Sequence, residues 1–402
     1  MRRFLHLVPL TDAITAAEKI APPPMAEIIA VELSAGRVLA TDITADTDIP
    51  GFDRSIVDGY AVRAADTTGA SDAVPVHFPC NGQVVMGRSD ETLSLQGGGC
   101  IYIPTGGVLP QGADAVVMVE YTEEAGSMIL IRKPVSHGEN VLRRDEDFRK
   151  GERVFSAGRM VNPQDAGVLA ACGCAMVPVT KRPVVGIIST GNELVTASAI
   201  PAPGQIRDAN GPMLAAWLAE YGCEPRLYGV VKDERDAFEN ALGRALPECD
   251  AVLLSGGSSK DERDMTAGVI ADKGKVIIHG VAIAPGKPTI IGTIAGKPVL
   301  GLPGHPAAAF IVLFAIVRPM IDKMLGCTSP RLRTVQATLA ENIPSQRGRA
   351  EYVRVRLEGN TAVPLFGKSG LLHTLVESDG LVFIPAGHEG IEKGREVEVI
   401  LW

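Results

Sequence analysis

From Pro183 to Leu302 the chain alternates between β-branched runs and helical stretches, and no other feature constrains its fold as tightly. PVVGIIS, RLYGVV, DAVLLS and KVIIHG read as strands. Between them, 212–221, 236–246 and 264–271 read as helices, the first capped by Asn210 and closed by Gly222. Alternation at this spacing predicts a mostly parallel sheet covered on both faces. Ligands collect at the carboxyl ends of such strands. The loops at 189–193, 232–235, 255–264 and 301–306 all fall at strand ends and are expected to converge. Each has a plainer reading alone: Gly256-Gly257 is a common turn, and Asp264 is a helix cap.

The stretch from Ile283 to Val317 follows directly. Pro285-Gly286-Lys287-Pro288 opens it, two β-branched segments continue it, and Gly301-Leu302-Pro303-Gly304-His305-Pro306 breaks it before an apolar run ending at Arg318. A buried strand feeding a Gly/Pro loop that opens a helix presents backbone N–H groups to an anion. Lys287 adds a mobile positive charge. These residues predict a site for a phosphate-bearing or oxyanionic ligand; the bland alternative is that the glycines and prolines only shape tight turns.

The first half is organised differently. Residues 10–30 read as a helix capped by Thr11 or Asp12 and stopped by Pro22-Pro23-Pro24, and 31–40 as a short amphipathic piece broken at Gly36. Asp58-Gly59 is a turn signal. VPVHF, GQVVMG, CIYIPTG, DAVVMVEY and SMILIRK predict a compact all-β unit over 74–132. Within it, Ile103 to Gly107 marks either a bulge or a close backbone approach to a ligand. The charged segment 135–150 is a solvated loop or, on the sharper reading, a source of cation-holding carboxylates. Asn162 to Asp165 starts a helix through Ala171, and without a long linker the chain can leave one domain and return to it. After Cys327 the tail is β-rich, with Arg347, Arg349, Arg354 and Arg356 concentrating positive charge.

Composition narrows the function. A chain of 402 residues with 44 Gly, 28 Pro and only 4% aromatic residues fits a multidomain α/β protein with many short loops. The net charge of −8, with no basic stripe, disfavours nucleic acid. Seven scattered cysteines lack zinc-type spacing and read as reduced thiols. The start MRRFLHLVPLTD is too short for a signal peptide, and the longest apolar run, 307–317, is too short for a membrane span. The expectation is a soluble cytoplasmic protein.

GFDRSIVDGYAVR, IPTGGVLPQGADAVVMVE, ENVLRRDEDFRKGE, GIISTGNEL, LLSGGSSKDERDMT, APGKP and GLPGHPAAA, with GRAEYVRVRL and GKSGLLHTLVESDGLVFIPAG in the tail, resemble the molybdopterin molybdenumtransferase family over essentially the whole chain. The resemblance implies a discontinuous linking domain (1–30 and 152–181), a β-rich domain (31–151), a molybdopterin-binding α/β domain (182–326) and a C-terminal β domain (327–402). It implies a homodimer whose active site is shared between the α/β domain of one subunit and the β domain of the other. The implied chemistry is insertion of molybdate into adenylylated molybdopterin with Mg²⁺-assisted release of AMP.

Matched motif by motif, the resemblance assigns catalytic roles to Asp58, Thr105, Asp147, Glu193, Asp233, Asp264 and Lys287. It assigns ligand binding to Ser255, Gly256, Gly257, Ser259, Pro288, Pro303, Gly304, Pro306, Arg349 and His373. Glu193 and Asp264 are the implied Mg²⁺ ligands. The chain departs from the family pattern at Ala284 (a lysine in KPGKP), at Ser258 to Asp261, at His373 (a serine) and at Arg54 (an asparagine). Lys260 or His373 is the expected replacement for the charge missing at Ala284. A molybdopterin-binding paralogue or scaffold with weakened oxyanion insertion is the alternative reading.

Overall fold

The computed structural model describes residues 7–88, 93–95, 97–256, 260–329 and 331–402, without the side chains of 260–264. Its centre is a six-stranded sheet in the order Glu224–Val231, Val184–Thr190, Ala251–Gly256, Lys297–Leu302, Ile290–Ile294, Gly274–His279. The first four strands pair in parallel, and only Ile290–Ile294 runs against the rest. Every residue of Val184–Thr190 is buried, as a strand covered on both faces requires. One face packs Ile187, Leu253 and Leu300 against Leu214, Leu218 and Ile311 to Leu325. The other packs Ile188, Val252 and Leu254 against Phe238, Leu242, Val269 and Ile270.

The helix after residue 301 is longer than its apolar run. It proceeds from Pro306–Val312 through a π turn, Leu313–Val317, into Arg318–Leu325, and ends at left-handed Gly326. Its last turns carry a half-buried ionic cluster. The Tyr221 hydroxyl donates to Asp322 at 3.0 and 3.2 Å, Arg318 and Arg331 approach the same carboxylate at 3.4 and 3.5 Å, and Arg331 lies over the Tyr221 ring. Burial pushes the Asp322 carboxyl up, against the pull of those partners.

The helix expected over 10–30 stops earlier. Leu10–Ile20 is helical, but Thr11 and Asp12 lie inside its first turn and cap nothing; Ala26–Ala30 is a strand. That strand pairs antiparallel with Met176–Thr180, so the chain returns to its starting region after the 145 residues 31–175. Helix Pro163–Ala171 between them starts with a capping box of Asn162 and Asp165. The returning segment also buries Asp165 beneath Arg159, which grips it through two bonds of 2.9 and 3.0 Å.

The intervening excursion forms a second six-stranded sheet, in the order Ala115–Met118, Gly59–Val62, Cys100–Ile103, Val76–Gln83, Met128–Ile131, Thr122–Ala125. Gly59 is therefore a strand residue and not the second half of an Asp-Gly turn. A side chain there would meet the Val117 carbonyl oxygen at 2.0 Å. The tail closes a five-stranded ring in which Ala350–Glu358 pairs with both Thr361–Pro364 and Gly380–Ile384, while Arg333–Leu339 and Glu396–Leu401 complete the circuit. A sixth, two-residue strand joins from outside. Ile283–Ala284, on the loop leading from the central sheet, pairs in parallel with Ala350 and Glu351.

Two expectations follow. Gly59→Ala should destabilise the β-rich unit by about 1–3 kcal/mol, because a carbonyl in mid-sheet cannot move aside; earlier thermal unfolding would register it. For Asp165, burial pushes the carboxyl up, yet Arg159 and the Asn162 N–H outweigh it and hold the group below the usual carboxylate range. A depressed carboxylate contributes stability above its unfolded pKa and loses it as pH falls through the folded value. Asp165→Asn should therefore melt earlier than the parent at neutral pH, and the gap should close in acid.

Candidate functional site

Three parallel strands of the central sheet end side by side, with Thr190 opposite Gly256 and Ser255 opposite Leu302. Gly256 is required there: its φ is +144°, and a Cβ would lie 2.1 Å from the Thr190 carbonyl oxygen. Thr190, Gly256, Thr266, Pro288 and Leu302 line a small pocket at this edge. Gly257 and Ser259 lie outside the described residues. Lys260 and Asp264 fall on helix Lys260–Lys273, but their side chains are outside them too.

The residue that ties these loops together is Asn210, which the sequence presents as a helix cap. It is instead the first residue of helix Asn210–Glu220, 6% exposed, with its amide turned into the site. Its Nδ2 donates to Ser255 Oγ and to the Gly304 carbonyl, both at 2.8 Å. Its Oδ1 is buried and has no partner. Two residues earlier, Asp208 accepts from Ser189 Oγ at 2.6 Å and from the Gly211 N–H at 3.0 Å. Sequence reasoning missed both as site residues. The available signal was two hydrogen-bonding side chains, two residues apart, entering a helix beside a predicted strand-end loop.

Glu193 and Asp233 occupy neighbouring loops. Asp233 and Asn192 bond reciprocally, the Asn192 N–H to Asp233 Oδ2 at 3.0 Å and the Asp233 N–H to Asn192 Oδ1 at 3.2 Å. The exposed Glu193 carboxylate folds back over Gly191, where a Cβ would stand 2.8 Å from it. Among the described residues no group of three His, Cys, Asp or Glu side chains is placed to hold a metal.

The seam between the central sheet and the C-terminal ring gathers the cations. In the loop 285–288, Thr289 Oγ1 donates to the Gly286 carbonyl at 2.7 Å and the Val281 N–H to the Lys287 carbonyl at 3.0 Å. Lys287 is exposed and makes no ion pair among the described residues. Pro303 is buried, and Pro306 begins the long helix behind His305. His305 Nδ1 meets Ser369 Oγ at 2.9 Å, while the Ala307 N–H donates to the Ser369 carbonyl at 3.1 Å. Arg354 is 7% exposed; its Nη2 donates to the Gly367 carbonyl at 3.2 Å, its Nη1 is buried without a partner, and burial pushes its pKa down.

The four tail arginines thus separate into two kinds. Arg347 pairs with Glu389 and Arg356 with Glu358. Arg349 and Arg354 have no carboxylate partner among the described residues, and each buries an unsatisfied guanidinium nitrogen. His373 is the first residue of the short helix His373–Val376 and is exposed.

Asp58 and Thr105 form a separate group in the β-rich unit. Asp58 Oδ1 accepts from the Thr105 N–H at 2.7 Å and from Thr105 Oγ1 at 3.1 Å. The break after Ile103 is therefore a tight turn held by a carboxylate. Asp147 lies on a neighbouring loop, where its N–H donates to the Ile49 carbonyl and its side chain is exposed. Arg144 fastens that loop by its side chain to Asp48 and by its N–H to Asp53. Around the Asp58 turn, Phe52, Ile56, Val85 and Met86 expose apolar side chains.

Comparison with known proteins places the whole chain. Family models described as MoeA N-terminal region (domain I and II), probable molybdopterin binding domain and MoeA C-terminal region (domain IV) match residues 8–173, 186–323 and 336–402. A molybdopterin molybdenumtransferase of Staphylococcus aureus is 33% identical over 400 residues, covering 98% of this chain and 95% of that one. One from Bacillus subtilis is 34% identical over 404 residues, covering 98% and 94%. A crystal structure of a molybdopterin biosynthesis MoeA protein from Pyrococcus horikoshii OT3 superposes with a TM-score of 0.87 at 34% identity, covering 98% of this chain and all of that one.

Asn210→Ala should cost about 1–3 kcal/mol, since it strips Ser255 and Gly304 of a buried donor. Faster amide hydrogen exchange confined to residues 253–256 and 303–307 would show that this side chain ties the two strand ends together.

Proposed function

The chain belongs to the molybdopterin molybdenumtransferase (MoeA) family, and on that premise we propose that it inserts molybdate into adenylylated molybdopterin and releases AMP, completing molybdenum cofactor biosynthesis in the cytoplasm. The observation that carries this reading is the pair of unlike surfaces meeting at the carboxyl edge of the sheet. One is a small pocket bounded by Thr190, Gly256 and Pro288 at the strand ends, suited to the phosphate end of a ligand. The other is a seam with an exposed unpaired lysine and a buried unpaired arginine, suited to a small oxyanion.

On the pocket side, Ser255 and Gly256 receive the phosphate, and Asn210 keeps the two loops at fixed separation, leaving its own buried carbonyl as an acceptor for a ligand N–H. Pro288, Pro303, Gly304 and Pro306 set the backbone of the wall. On the seam side, Lys287 and Arg349, with Arg354, attract the oxyanion, and Ser369, two residues from the Gly367 carbonyl that Arg354 holds, offers a hydroxyl. A buried arginine with a bare Nη1 has already been desolvated, so an arriving anion gains most of the Coulomb attraction. His373, exposed at a helix start, flanks this loop.

The acids divide the remaining work. Mg²⁺ usually takes one or two carboxylates and keeps its waters and the substrate's phosphates, so the absence of a three-ligand cage among the described residues is compatible with it. Glu193, together with Asp264, would hold it, and when bound it supplies neutralisation of pyrophosphate charge. Asp233 fixes the loop that carries Glu193 through Asn192. Asp58, with Thr105, and Asp147 belong to the β-rich unit, and the apolar rim of Phe52, Ile56 and Met86 supports docking of that unit onto a second copy's pocket. The protein on this reading is a homodimer with a shared site.

A second reading, a molybdopterin-binding paralogue or scaffold, is favoured by one observation: the loop 284–288 carries a single cation, because position 284 is alanine. Incubation with adenylylated molybdopterin, Mg²⁺ and molybdate separates the two. AMP release is expected, and Lys287→Ala should slow it ~10–100-fold, the loss of one charge-assisted contact. Pterin binding without AMP release would instead establish the scaffold. Mixing Asp58→Ala with Lys287→Ala subunits should restore part of the activity if the site is shared; sedimentation of a pure monomer would rule out the sharing.

A further inference from the structure

The sheet of the β-rich unit sets two cysteines side by side. Strands Val76–Gln83 and Cys100–Ile103 run parallel, and their register places Cys80 directly beside Cys100. Lateral neighbours in a sheet lie about 4.8 Å apart and share a face. A disulfide spans Cα separations of about 4.4–6.8 Å, so the spacing suits one. The two thiols differ in access: Cys100 is fully buried in the cluster of Tyr60 and Phe78, whereas Cys80 is exposed. They form a hydrogen-bonded row, in which Cys100 bonds to Cys80 and Cys80 Sγ donates to the Gly82 carbonyl at 3.5 Å.

Access and environment divide the roles. Burial pushes the Cys100 thiol up to about 12, and the charge and hydrogen bond of Cys80 push it the same way. The thiolate is the reactive form, so Cys100 is a poor first target for an oxidant. Cys80 is that target: of the seven cysteines, all within the described residues, it alone is exposed. The other five are placed differently. Cys223 and Cys249 are buried, Cys327 Sγ donates to the Ser329 carbonyl at 3.6 Å, and Cys172 and Cys174 stand one residue apart with Cys172 buried. Both strands of the pair lead to the turn that Asp58 holds. Cys100–Ile103 runs straight into Pro104-Thr105, and the segment after Gln83 packs on the same turn. A Cβ at Gly106 would stand 3.4 Å from Met86 Cε, and one at Gly107 would stand 3.2 Å from Val84 Cγ1.

We propose that Cys80 and Cys100 are an oxidant-responsive pair that closes reversibly to an intramolecular disulfide, stapling the two strands that feed the Asp58–Thr105 turn. The oxidant is hydrogen peroxide. The Cys80 thiolate attacks one peroxide oxygen, the O–O bond breaks, and a sulfenic acid forms on Cys80 as one water leaves. The Cys100 sulfur then attacks the Cys80 sulfur, the S–O bond breaks, and hydroxide departs as water with the Cys100 proton. Two thiols lose two electrons and two protons, and the peroxide becomes two waters. The first step also removes the thiolate charge at Cys80, one of the causes that keep Cys100 protonated. The register already breaks between Cys80 and Gln83, around Gly82 with φ +142°, which gives the strands slack to close. A dithiol reductant reverses the bond. The proposal stands independently of the transferase reading.

The test treats the folded full-length protein with hydrogen peroxide, blocks remaining thiols with N-ethylmaleimide, and maps the peptides by mass. The parent should yield one cross-linked species joining the Cys80 and Cys100 peptides, lighter by two hydrogen masses and lost on treatment with dithiothreitol. Amide exchange over 80–86 and 100–107 should slow in the oxidised form. Cys100→Ala removes the resolving thiol, so Cys80 should accumulate as sulfenic acid, trapped by dimedone, and then as sulfinic acid at ~10 times the parent's level. Cys80→Ser, at an exposed position, covers the case in which the buried variant fails to fold; it should abolish the cross-link and leave Cys100 free to react with maleimide once unfolded. The proposal is overturned if Cys80 in the parent oxidises while Cys100 remains a free thiol. It is equally overturned if Cys80 links instead to another cysteine or to a second molecule, or if the cross-link appears only in urea.

Discussion

Everything at the seam depends on two residue pairs, Ile283 with Ala350 and Ala284 with Glu351. The pairing is the only parallel one the C-terminal ring makes with a segment outside itself, among the described residues. It anchors a glycine- and proline-rich loop that is also pinned from within, by Thr289 to the Gly286 carbonyl and by the Val281 N–H to the Lys287 carbonyl. Gly286, with φ +132° and Val312 within 2.7 Å of where a Cβ would sit, cannot be varied to tighten the loop from within. The loop therefore draws part of its rigidity from a sheet belonging to another unit. A lysine on such a loop keeps a mobile side chain on a fixed base, which suits a charge that must follow an anion without losing its place.

Asn210 solves the matching problem on the opposite side. Strand ends in an open parallel sheet diverge with the sheet's twist, and the loops beyond them tend to splay. A single primary amide has two donor hydrogens, and Asn210 spends them on two different loops, Ser255 and Gly304. Asp208 does the same with two acceptors, taking Ser189 from one strand end and Gly211 from the helix start. Together they fasten three strand ends to one helix without a charged pair in the buried floor. Farther out, Lys273 meets Glu239 and Arg235 meets Asp272, so helix Lys260–Lys273 is tied to helix Arg235–Glu248 by surface charge.

The class of fold was legible because periodicity reports burial. Val184–Thr190 is apolar without interruption, the strands recur at βαβ spacing, and the tail shows short alternating runs. What could not be read was partnership. Four arginines in one β-rich segment look alike until it is known which of them has a carboxylate within reach. Asn210 ahead of a helix reads as a cap because capping is the local use of asparagine, and nothing local announces that its true partners are 45 and 94 residues away. Asp58 was misread for the same reason. Its neighbour Gly59 signals a turn, whereas the glycine is needed because the Val117 carbonyl leaves no room for a side chain. Motif resemblance singles out Asp58, Glu193 and Lys287 on non-local information that spacing lacks.

The π turn at Leu313–Val317 has a consequence for how this helix is compared with others. A π turn adds one residue to the α repeat and so rotates everything after it by about 100°. Upstream, Ala307, Ala309 and Ile311 are set by the sheet; downstream, Met320, Ile321 and Met324 face the core, and Asp322 reaches Tyr221 and Arg331. The two halves share an axis but not a phase. A relative lacking the extra residue would bring a different face to Tyr221 while keeping nearly the same letters, and a gapless alignment through 313–317 would equate side chains that point in different directions.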